Sequence, residues 1–261
     1  MNLKAKLDEH YLAFDKSKIS PDPLQFLHLF KNEKDIESIG FIASVFAYGN
    51  VSQIINSVNK ILAISSHKPF DFIMGFNPKE LDSIFKNVKH RFYTESDIQL
   101  FFRLLKSVYV EYDSLKNLFR TFTSPQDVNV KNSINKFSEY FITLARQITP
   151  NKDLTPGLKF MFPMPDNGSA CKRINLFLRW MVRHDELDFG IWSDIVNPTK
   201  LIIPVDTHVA RVCRSIRLTN RKSVSWLMAE EITQNLSKFD PSDPVKYDFA
   251  ICHIGMRKLK F

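Results

Sequence analysis

The sequence is poor in glycine and cysteine, and both shortages narrow the range of folds. Seven glycines among 261 residues leave little material for glycine-rich phosphate loops or for a turn-dense all-β fold. The three cysteines, Cys171, Cys213 and Cys252, form no C-x-x-C motif, so a disulfide framework is not expected. No uncharged apolar run is long enough to cross a membrane, and the charged amino terminus is unlike a secretory signal. We therefore expect a helical, monomeric, cytoplasmic protein that does not enter the membrane.

The charge of the chain is unbalanced. Thirty-six Lys and Arg residues against 28 Asp and Glu give a formal net charge of +8 at pH 7. A basic excess favours polyanionic partners, most simply nucleic acid, although RNA or an anionic membrane surface would satisfy it equally. Charge alone does not separate these partners from an ordinary basic soluble protein.

Apolar residues recur every three to four positions in several segments, the spacing that places them along one face of a helix. Helices are therefore predicted over 35–47, over 54–62, over 132–148 and twice between residues 96 and 122. The stretch 149–168 contains proline and glycine and is predicted to be a loop.

A further helix is predicted from a cap at Ser169 to about Arg183. Its apolar stripe consists of Ile174, Phe177, Leu178 and Met181. At about 100° per residue, three basic side chains fall together on the opposite face: Lys172, Arg179 and Arg183.

The short apolar segment 201–205 is predicted to be extended, and Asp206 follows it at a position suited to a helix N-cap. In the helix that Asp206 opens, Arg211 and Arg214 face away from the apolar stripe. The pair Asp243-Pro244 is predicted to open the last helix, as a cap followed by proline at the first helical position.

Lys172 would lie in the first turn of its helix, where the macrodipole disfavours a cation by about 0.3–1 kcal/mol. That field and the neighbouring Arg173 are expected to shift its ammonium toward the neutral amine that Schiff-base chemistry requires. As a helix cap, Asp206 is expected to stay ionised and to stabilise a cationic sugar in a transition state. On position alone, a solvated lysine and an ordinary capping aspartate are the simpler interpretation.

Two strings around these residues resemble a known family. LIIPVDTHVARVCRSIRL, residues 201–218, is similar to the segment of the helix-hairpin-helix (HhH-GPD) DNA glycosylases in which a V-D-x-H-x-x-R-like string opens the helix of the essential aspartate. ACKRINLFLRWMV, residues 170–182, resembles the helix of that family that begins with the nucleophilic lysine. The resemblance assigns the two catalytic roles to Lys172 and Asp206.

The resemblance implies an all-α fold with two helical subdomains and a DNA-binding cleft. It divides the chain into an N-terminal segment, 1–40, that packs with the C-terminal part, a helical bundle, 41–199, that ends in the Lys-bearing helix, and a C-terminal part, 200–261, with the aspartate. Residues 41–62 are similar to the early helix pair whose connection, here Tyr48-Gly49-Asn50, inserts into DNA near the lesion.

The activity implied is base excision repair by a bifunctional DNA glycosylase and AP lyase that removes 8-oxoguanine through a Schiff base on Lys172. The Gly-x-Gly hairpin usual before the lysine is absent, and the spacing from Lys172 to Asp206 is longer than in endonuclease III. The archaeal 8-oxoguanine glycosylases and their bacterial relatives share both features. Three alternatives stay open: a glycosylase for oxidised pyrimidines, a non-catalytic helical nucleic-acid-binding protein on the same scaffold, and an interaction protein with a basic surface.

Double-stranded damaged DNA is the expected partner, which would associate the protein with the nucleoid. The expected DNA contacts are Arg173, Arg179, Arg183, His208, Arg211, Arg214, Tyr48 and Asn50. Candidates for the pocket of the flipped base are Phe46, Gln53, Trp180 and Trp226. No cofactor or metal is expected, because only Cys252 follows Cys213 and the histidines lack metal-ligand spacing.

Overall fold

The computed structural model describes residues 3–13, 15–150 and 153–256. No strand is formed within these ranges; there are two isolated bridges, His90–Tyr93 and His184–Phe189. The α-helices are α1 Leu3–Leu12, α2 Glu33–Phe46, α3 Val51–Ile64, α4 Pro69–Gly75, α5 Leu81–Ile84, α6 Glu95–Tyr112, α7 Leu115–Arg120, α8 Lys131–Ile148, α9 Pro156–Met161, α10 Lys172–Val182, α11 Thr207–Ser215, α12 Trp226–Ser237 and α13 Asp248–Met256. Single 3-10 helices lie at Lys16–Lys18, Pro23–Leu29, Pro78–Glu80, Pro165–Asn167, Pro198–Lys200 and Pro244–Tyr247. The all-α class is confirmed. Of the helices described, none is both long and apolar enough to span a membrane.

The chain folds as two compact units. Unit 1 comprises the residues up to Ile19, the segment Thr123–Ile134 and the residues from Met164 onward, and unit 2 comprises Ser20–Phe122 and Asn135–Pro163. This division differs from the three segments predicted, because α10 lies in the same unit as α11 to α13. Helix α1 packs against α13, whereas residues 20–40 belong to unit 2, so only the first part of the predicted segment 1–40 lies with the C-terminal part.

Unit 2 is built around an aromatic core. Helix α2 packs against α3 and α4, and α6 packs against α4, α5, α7 and α9. Phe41 contacts Phe101, Phe137 and Phe141, and Phe141 stacks on Phe162 with ring centroids 4.6 Å apart. Such ring pairs add about 0.5–1.5 kcal/mol each beyond the burial of their area. Many of the 23 phenylalanines of the sequence thus serve the interior of this unit.

The helices predicted from periodicity are confirmed as α2, α3, α6, α7 and α8. The prediction of a loop over 149–168 is wrong, because α9 lies within it. The Thr155 hydroxyl accepts the N–H of Leu158 at 3.0 Å, and Pro156 occupies the first helical position, so this proline starts a helix. A Cβ on Gly157 would lie 2.6 Å from Asp97 Oδ2, so the glycine permits a close approach to α6.

In unit 1, α11 packs against α13, and α12 packs against the 3-10 helix Pro244–Tyr247. The segment 201–205 pairs with no strand; the N–H of Ile203 instead donates to the Thr233 hydroxyl at 3.0 Å. The pair Asp243-Pro244 opens that 3-10 helix, without a side-chain cap from Asp243, and α13 begins only at Asp248. The first residue of the last helix is therefore Asp248 and not Pro244, a displacement of four residues.

Candidate active site

The beginnings of two helices in unit 1 bring a lysine and an aspartate together. Lys172 is the first residue of α10, and Asp206 immediately precedes α11. Lys172 Nζ lies 2.7 Å from Asp206 Oδ2, although the residues are 34 positions apart in the sequence. The two side chains are 31% and 33% exposed, so the pair can be reached from solvent without being fully hydrated. The two residues predicted to be catalytic are therefore in direct contact.

The two carboxylate oxygens of Asp206 have separate partners. Oδ1 accepts the N–H groups of His208 at 2.9 Å and of Val209 at 2.8 Å, and Oδ2 accepts the ammonium of Lys172. The prediction that Asp206 caps a helix is confirmed. Because the cap occupies one oxygen and fixes the plane of the carboxylate, the other oxygen is held toward the lysine.

The predicted start of the Lys172 helix is wrong by two residues. The N-cap position belongs to Cys171, whose φ of +48° and ψ of +36° lie in the left-handed region. Ser169 lies further back, and its hydroxyl accepts the N–H of Cys171 at 3.1 Å. The side-chain amide of Asn175 donates to the carbonyl of Ala170 at 3.1 Å and helps to hold this turn. A left-handed non-glycine residue costs of order 1 kcal/mol, so the backbone just before Lys172 is strained.

The expectation that Lys172 is shifted toward the neutral amine is also wrong. Burial disfavours its ammonium, but the charge and hydrogen bond of Asp206 outweigh that effect and raise the pKa of Lys172. Burial likewise disfavours the carboxylate of Asp206, but Lys172 and the capping N–H groups outweigh it and lower the pKa of Asp206. The pair is therefore an ammonium and a carboxylate near neutral pH.

Three arginines predicted to contact DNA lie inside unit 1. Arg173, Arg179 and Arg183 are 5%, 3% and 3% exposed. The prediction that Arg179 and Arg183 contact DNA is wrong, because the side of α10 opposite its apolar stripe is covered and both arginines pair with carboxylates there. Their guanidinium groups are consequently not available to a phosphate.

The covering carboxylates form a buried ion-pair network that sequence reasoning missed. Asp188 accepts Arg179 Nη2 at 3.1 Å and is also bonded by Arg183 Nη1. Asp248 accepts Arg179 Nη1 at 2.5 Å, and Asp243 accepts Arg183 Nη2 at 2.9 Å. Burial opposes the charge of Arg179, but Asp188 and Asp248 outweigh it and raise the pKa of that guanidinium. An available signal was the position of Asp188 in the sequence, five residues after Arg183 and nine after Arg179.

The remaining basic candidates lie on α11. The His208 ring contacts the carbonyl of Cys252 through Nε2 at 3.3 Å and Arg211 Nη2 through Nδ1 at 3.0 Å. Arg211 is exposed. Arg214 donates to the carbonyls of Arg221 and Lys222 at 2.8 and 2.7 Å. Of the basic residues predicted to bind DNA, Arg211 is thus the most open, and Arg214 is already bonded to the backbone.

The candidates near the α2–α3 connection all lie in unit 2. Asn50 is exposed and caps α3 by accepting the N–H of Ser52 at 2.8 Å. Tyr48 is half-buried and donates to the carbonyl of His90 at 2.8 Å. Gln53 is exposed beside a small cavity, whereas Phe46 is completely buried. Phe46 is therefore a core residue, not the face of a base pocket.

Trp180 and Trp226 are also core residues, 0% and 2% exposed, so neither offers a face to a flipped base as the structure stands. No group of three or more His, Cys, Asp or Glu side chains in the described ranges is arranged to hold a metal ion. Burial raises the pKa of the Cys171 thiol to about 12, so it is not a ready nucleophile beside Lys172. Lys172 and Asp206 are thus the amine and the carboxylate in contact at this site.

Comparison with known proteins gives a family but no activity. Neither a curated protein nor a solved structure matches the chain significantly. The family described as "Protein of unknown function (DUF2400)" matches residues 22–257, which is most of the sequence. The chain therefore belongs to the DUF2400 family.

Proposed function

We propose that this protein is a DNA glycosylase with AP lyase activity, with Lys172 as the nucleophile and Asp206 as its carboxylate partner. The observation that carries the proposal is the 2.7 Å contact between Lys172 Nζ and Asp206 Oδ2 at two accessible helix starts. An amine at this distance from an oriented carboxylate is the pair that imine formation at a sugar carbon requires. The resemblance of residues 170–182 and 201–218 to helix-hairpin-helix glycosylases supports the same assignment.

The chemistry follows from the charges of the pair. As the C1′–N bond of the damaged nucleotide breaks, its electrons leave with the base, and the ionised Asp206 stabilises the cationic sugar. The departing base nitrogen takes a proton from the Lys172 ammonium, and the neutral amine attacks C1′. The nitrogen, now bonded to C1′, gives one proton to the ring oxygen as the bond between C1′ and that oxygen breaks, which leaves a protonated imine between C1′ and Nζ. Water then takes a proton from C2′, the electrons of that bond form the C2′–C3′ double bond, and the bond from C3′ to the oxygen of the 3′ phosphate breaks.

We retain 8-oxoguanine as the proposed lesion, and this part of the proposal rests on the resemblance. Discrimination from guanine needs an acceptor for the N7–H of the damaged base, and an unmade hydrogen bond in a dry pocket costs about 1–3 kcal/mol. Oxidised pyrimidines are the second candidate substrate.

A non-catalytic nucleic-acid-binding protein is the rival, because an ordinary ion pair between two helix starts would show the same geometry. Borohydride trapping separates the two. With duplexes that carry 8-oxoguanine, thymine glycol, uracil or an abasic site, we expect a covalent protein–DNA adduct on electrophoresis. Lys172→Gln should abolish the adduct, because glutamine cannot form an imine.

The matched control is Lys222→Gln, which removes an exposed lysine of the same unit and should trap as well as the wild type. An adduct of unchanged yield in Lys172→Gln would place the nucleophile elsewhere. The absence of any adduct in the wild type, with DNA binding retained, would favour the non-catalytic rival. An adduct with the abasic site alone would leave a lyase without glycosylase activity.

A further inference from the structure

Unit 2 contains a basic cavity of about 240 Å³ that the chemistry at Lys172 does not use. Its lining is polar and cationic: Gln53, Asn56, Ser57, Lys60, Lys89, His90 and Arg91. Lys60, Lys89 and Arg91 are all exposed. Across the part of the chain that the structure describes, Lys60 and Arg91 form no ion pair, and Lys89 approaches Glu95 only to 3.8 Å. The cavity thus carries uncompensated positive charge, which attracts an anion.

One wall of the cavity is a fixed turn. The N–H of Tyr93 donates to the carbonyl of His90 at 2.8 Å, and the N–H of His90 donates to the carbonyl of Tyr93 at 3.3 Å. Arg91, between them, has a φ of +54°, in the left-handed region that non-glycine residues seldom occupy. Tyr48 donates to the same His90 carbonyl, and the His90 ring contacts the Ser57 hydroxyl at 2.8 Å. The backbone that carries Arg91 is therefore fixed by the hydrogen bonds between His90 and Tyr93 and by the hydrogen bond from Tyr48.

Next to this turn lies a surface of aromatic rings. Phe92 and Phe160 are 47% and 40% exposed, and their ring centroids are 4.9 Å apart. The half-buried Tyr48 lies 5.1 Å from each of them. The Arg91 guanidinium lies over the Tyr48 ring at 5.4 Å, so the cavity and the aromatic surface adjoin. An anion site beside exposed rings matches a ligand that carries both phosphate and a flat apolar face.

We propose that unit 2 binds single-stranded nucleic acid, with a backbone phosphate in the cavity and a base stacked on Phe92 and Phe160. A strand is favoured over a duplex because the faces of paired bases are covered by their neighbours and cannot stack on protein rings. Basic grooves combined with aromatic platforms are the usual means by which proteins hold an unpaired strand. This binding is independent of any covalent chemistry at Lys172.

The test is fluorescence anisotropy with a short labelled oligothymidylate over a range of salt concentrations. Lys60→Gln combined with Arg91→Gln should weaken binding and flatten the salt dependence by about 0.7 in log–log slope, the value for one single-strand phosphate contact. Phe92→Ala should weaken binding about 5- to 150-fold, the range for loss of one stacked base. With an abasic strand, which keeps the phosphates and lacks the bases, Phe92→Ala should have no effect.

The matched control is Lys79→Gln combined with Lys136→Gln, which removes two exposed charges of unit 2 outside the cavity. If this control flattens the slope as much as the cavity variant, the binding is unspecific and the proposal fails. If Phe92→Ala weakens the binding of the abasic strand by the same factor, Phe92 does not stack on a base. If thymidine monophosphate or inorganic phosphate competes at the same concentration as the strand, the ligand of the cavity is a small free anion and not a strand. If a duplex binds as tightly and depends on Phe92 in the same way, the ligand is a duplex and not a single strand.

Lys172→Gln separates this proposal from the proposed glycosylase activity. That variant should bind the oligothymidylate as tightly as the wild type whether or not adducts form, because it leaves unit 2 unchanged. Loss of binding in Lys172→Gln would place the strand at Lys172 instead of the cavity. Circular dichroism of Phe92→Ala and of the milder Phe92→Leu should be unchanged, since the Phe92 residue is 47% exposed and lies outside the core of unit 2.

Discussion

The two ends of helix α10 hold basic residues in opposite environments. At its start, the Lys172 and Asp206 side chains are about one-third exposed, at 31% and 33%, and form a single contact. Toward its end, Arg179 is 3% exposed and shares the fully buried Asp188 with Arg183. Both ends pair cations with carboxylates at hydrogen-bond distance, and only the first leaves them within reach of a ligand.

The difference shows how burial changes the role of the same kind of ion pair. An exposed pair adds only about 0–1 kcal/mol to stability, so its residues are free to serve chemistry at little structural cost. A buried charge is tolerated in a fold only when it has a partner of opposite charge. Removal of one partner therefore lowers the free energy of unfolding substantially. We therefore assign α10 a reactive start and a structural end.

The largest expected effect is on stability at the buried end. Asp188→Asn keeps the size of the side chain but leaves two buried guanidinium groups short of a carboxylate, so we expect a loss of about 3–5 kcal/mol in the free energy of unfolding. Denaturant unfolding followed by tryptophan fluorescence reports on unit 1, because all three tryptophans, Trp180, Trp192 and Trp226, lie there. The matched variant Lys172→Gln should change the same quantity by no more than about 1 kcal/mol. A loss of similar size in both variants would contradict the division between the two ends.

The next effect concerns the carboxylate at the open end. Asparagine can also cap a helix, so Asp206→Asn should leave the melting temperature of unit 1 nearly unchanged. Because it removes the charge that stabilises the cationic sugar, we expect the single-turnover rate of base release to fall about a hundredfold or more. The control is Asp166→Asn, an aspartate that is 67% exposed in the same unit and pairs with Lys131 at 3.0 Å, not with Lys172. If folding and activity fail together in Asp206→Asn, the residue is mainly structural.

The smallest effect is a change in the protonation of Lys172. In the wild type, Asp206 raises the pKa of Lys172 above its ordinary value of 10.5 against the opposing effect of burial. Asp206→Asn removes the strongest effects that raise the pKa of Lys172 and leaves burial opposed only by the weaker charges of Cys252 and Asp248, so this pKa should fall. Competitive acetylation over a pH series, read by peptide mass spectrometry, measures it. An unchanged acetylation midpoint would show that Asp206 does not govern the amine.

The same shifts fix the pH range in which the pair stabilises the fold. Because the pKa of Lys172 is raised in the folded protein, its contribution is complete below pH 10.5 and disappears as the pH rises through the folded value. Because the pKa of Asp206 is lowered, its contribution is present above pH 3.8 and disappears as the pH falls through the folded value. Between these limits the pair should contribute little variation of stability with pH.

The helical class and the positions of most long helices could be predicted from the amino-acid sequence, because apolar periodicity is local and indicates which face of a helix is covered. The position of Asp206 after the segment 201–205 also identified it as a helix cap. Its pairing with Lys172 came from the family resemblance and not from periodicity. Helix α9 was not predicted, because a proline followed by a glycine is typical of a loop. Here Pro156 instead begins a helix, and Gly157 permits a close packing contact.

The burial of the charged side chains and the identity of their partners could not be predicted, because both depend on how the helices pack. Periodicity placed Lys172, Arg179 and Arg183 on one face of α10, but it does not say what covers that face at each turn. Asp188, Asp243 and Asp248 cover the later turns and leave the first turn open. The protonation of Lys172 was decided in the same way. The helix field that a sequence reveals is weaker than a carboxylate at 2.7 Å, and that carboxylate comes from a helix start 34 residues away.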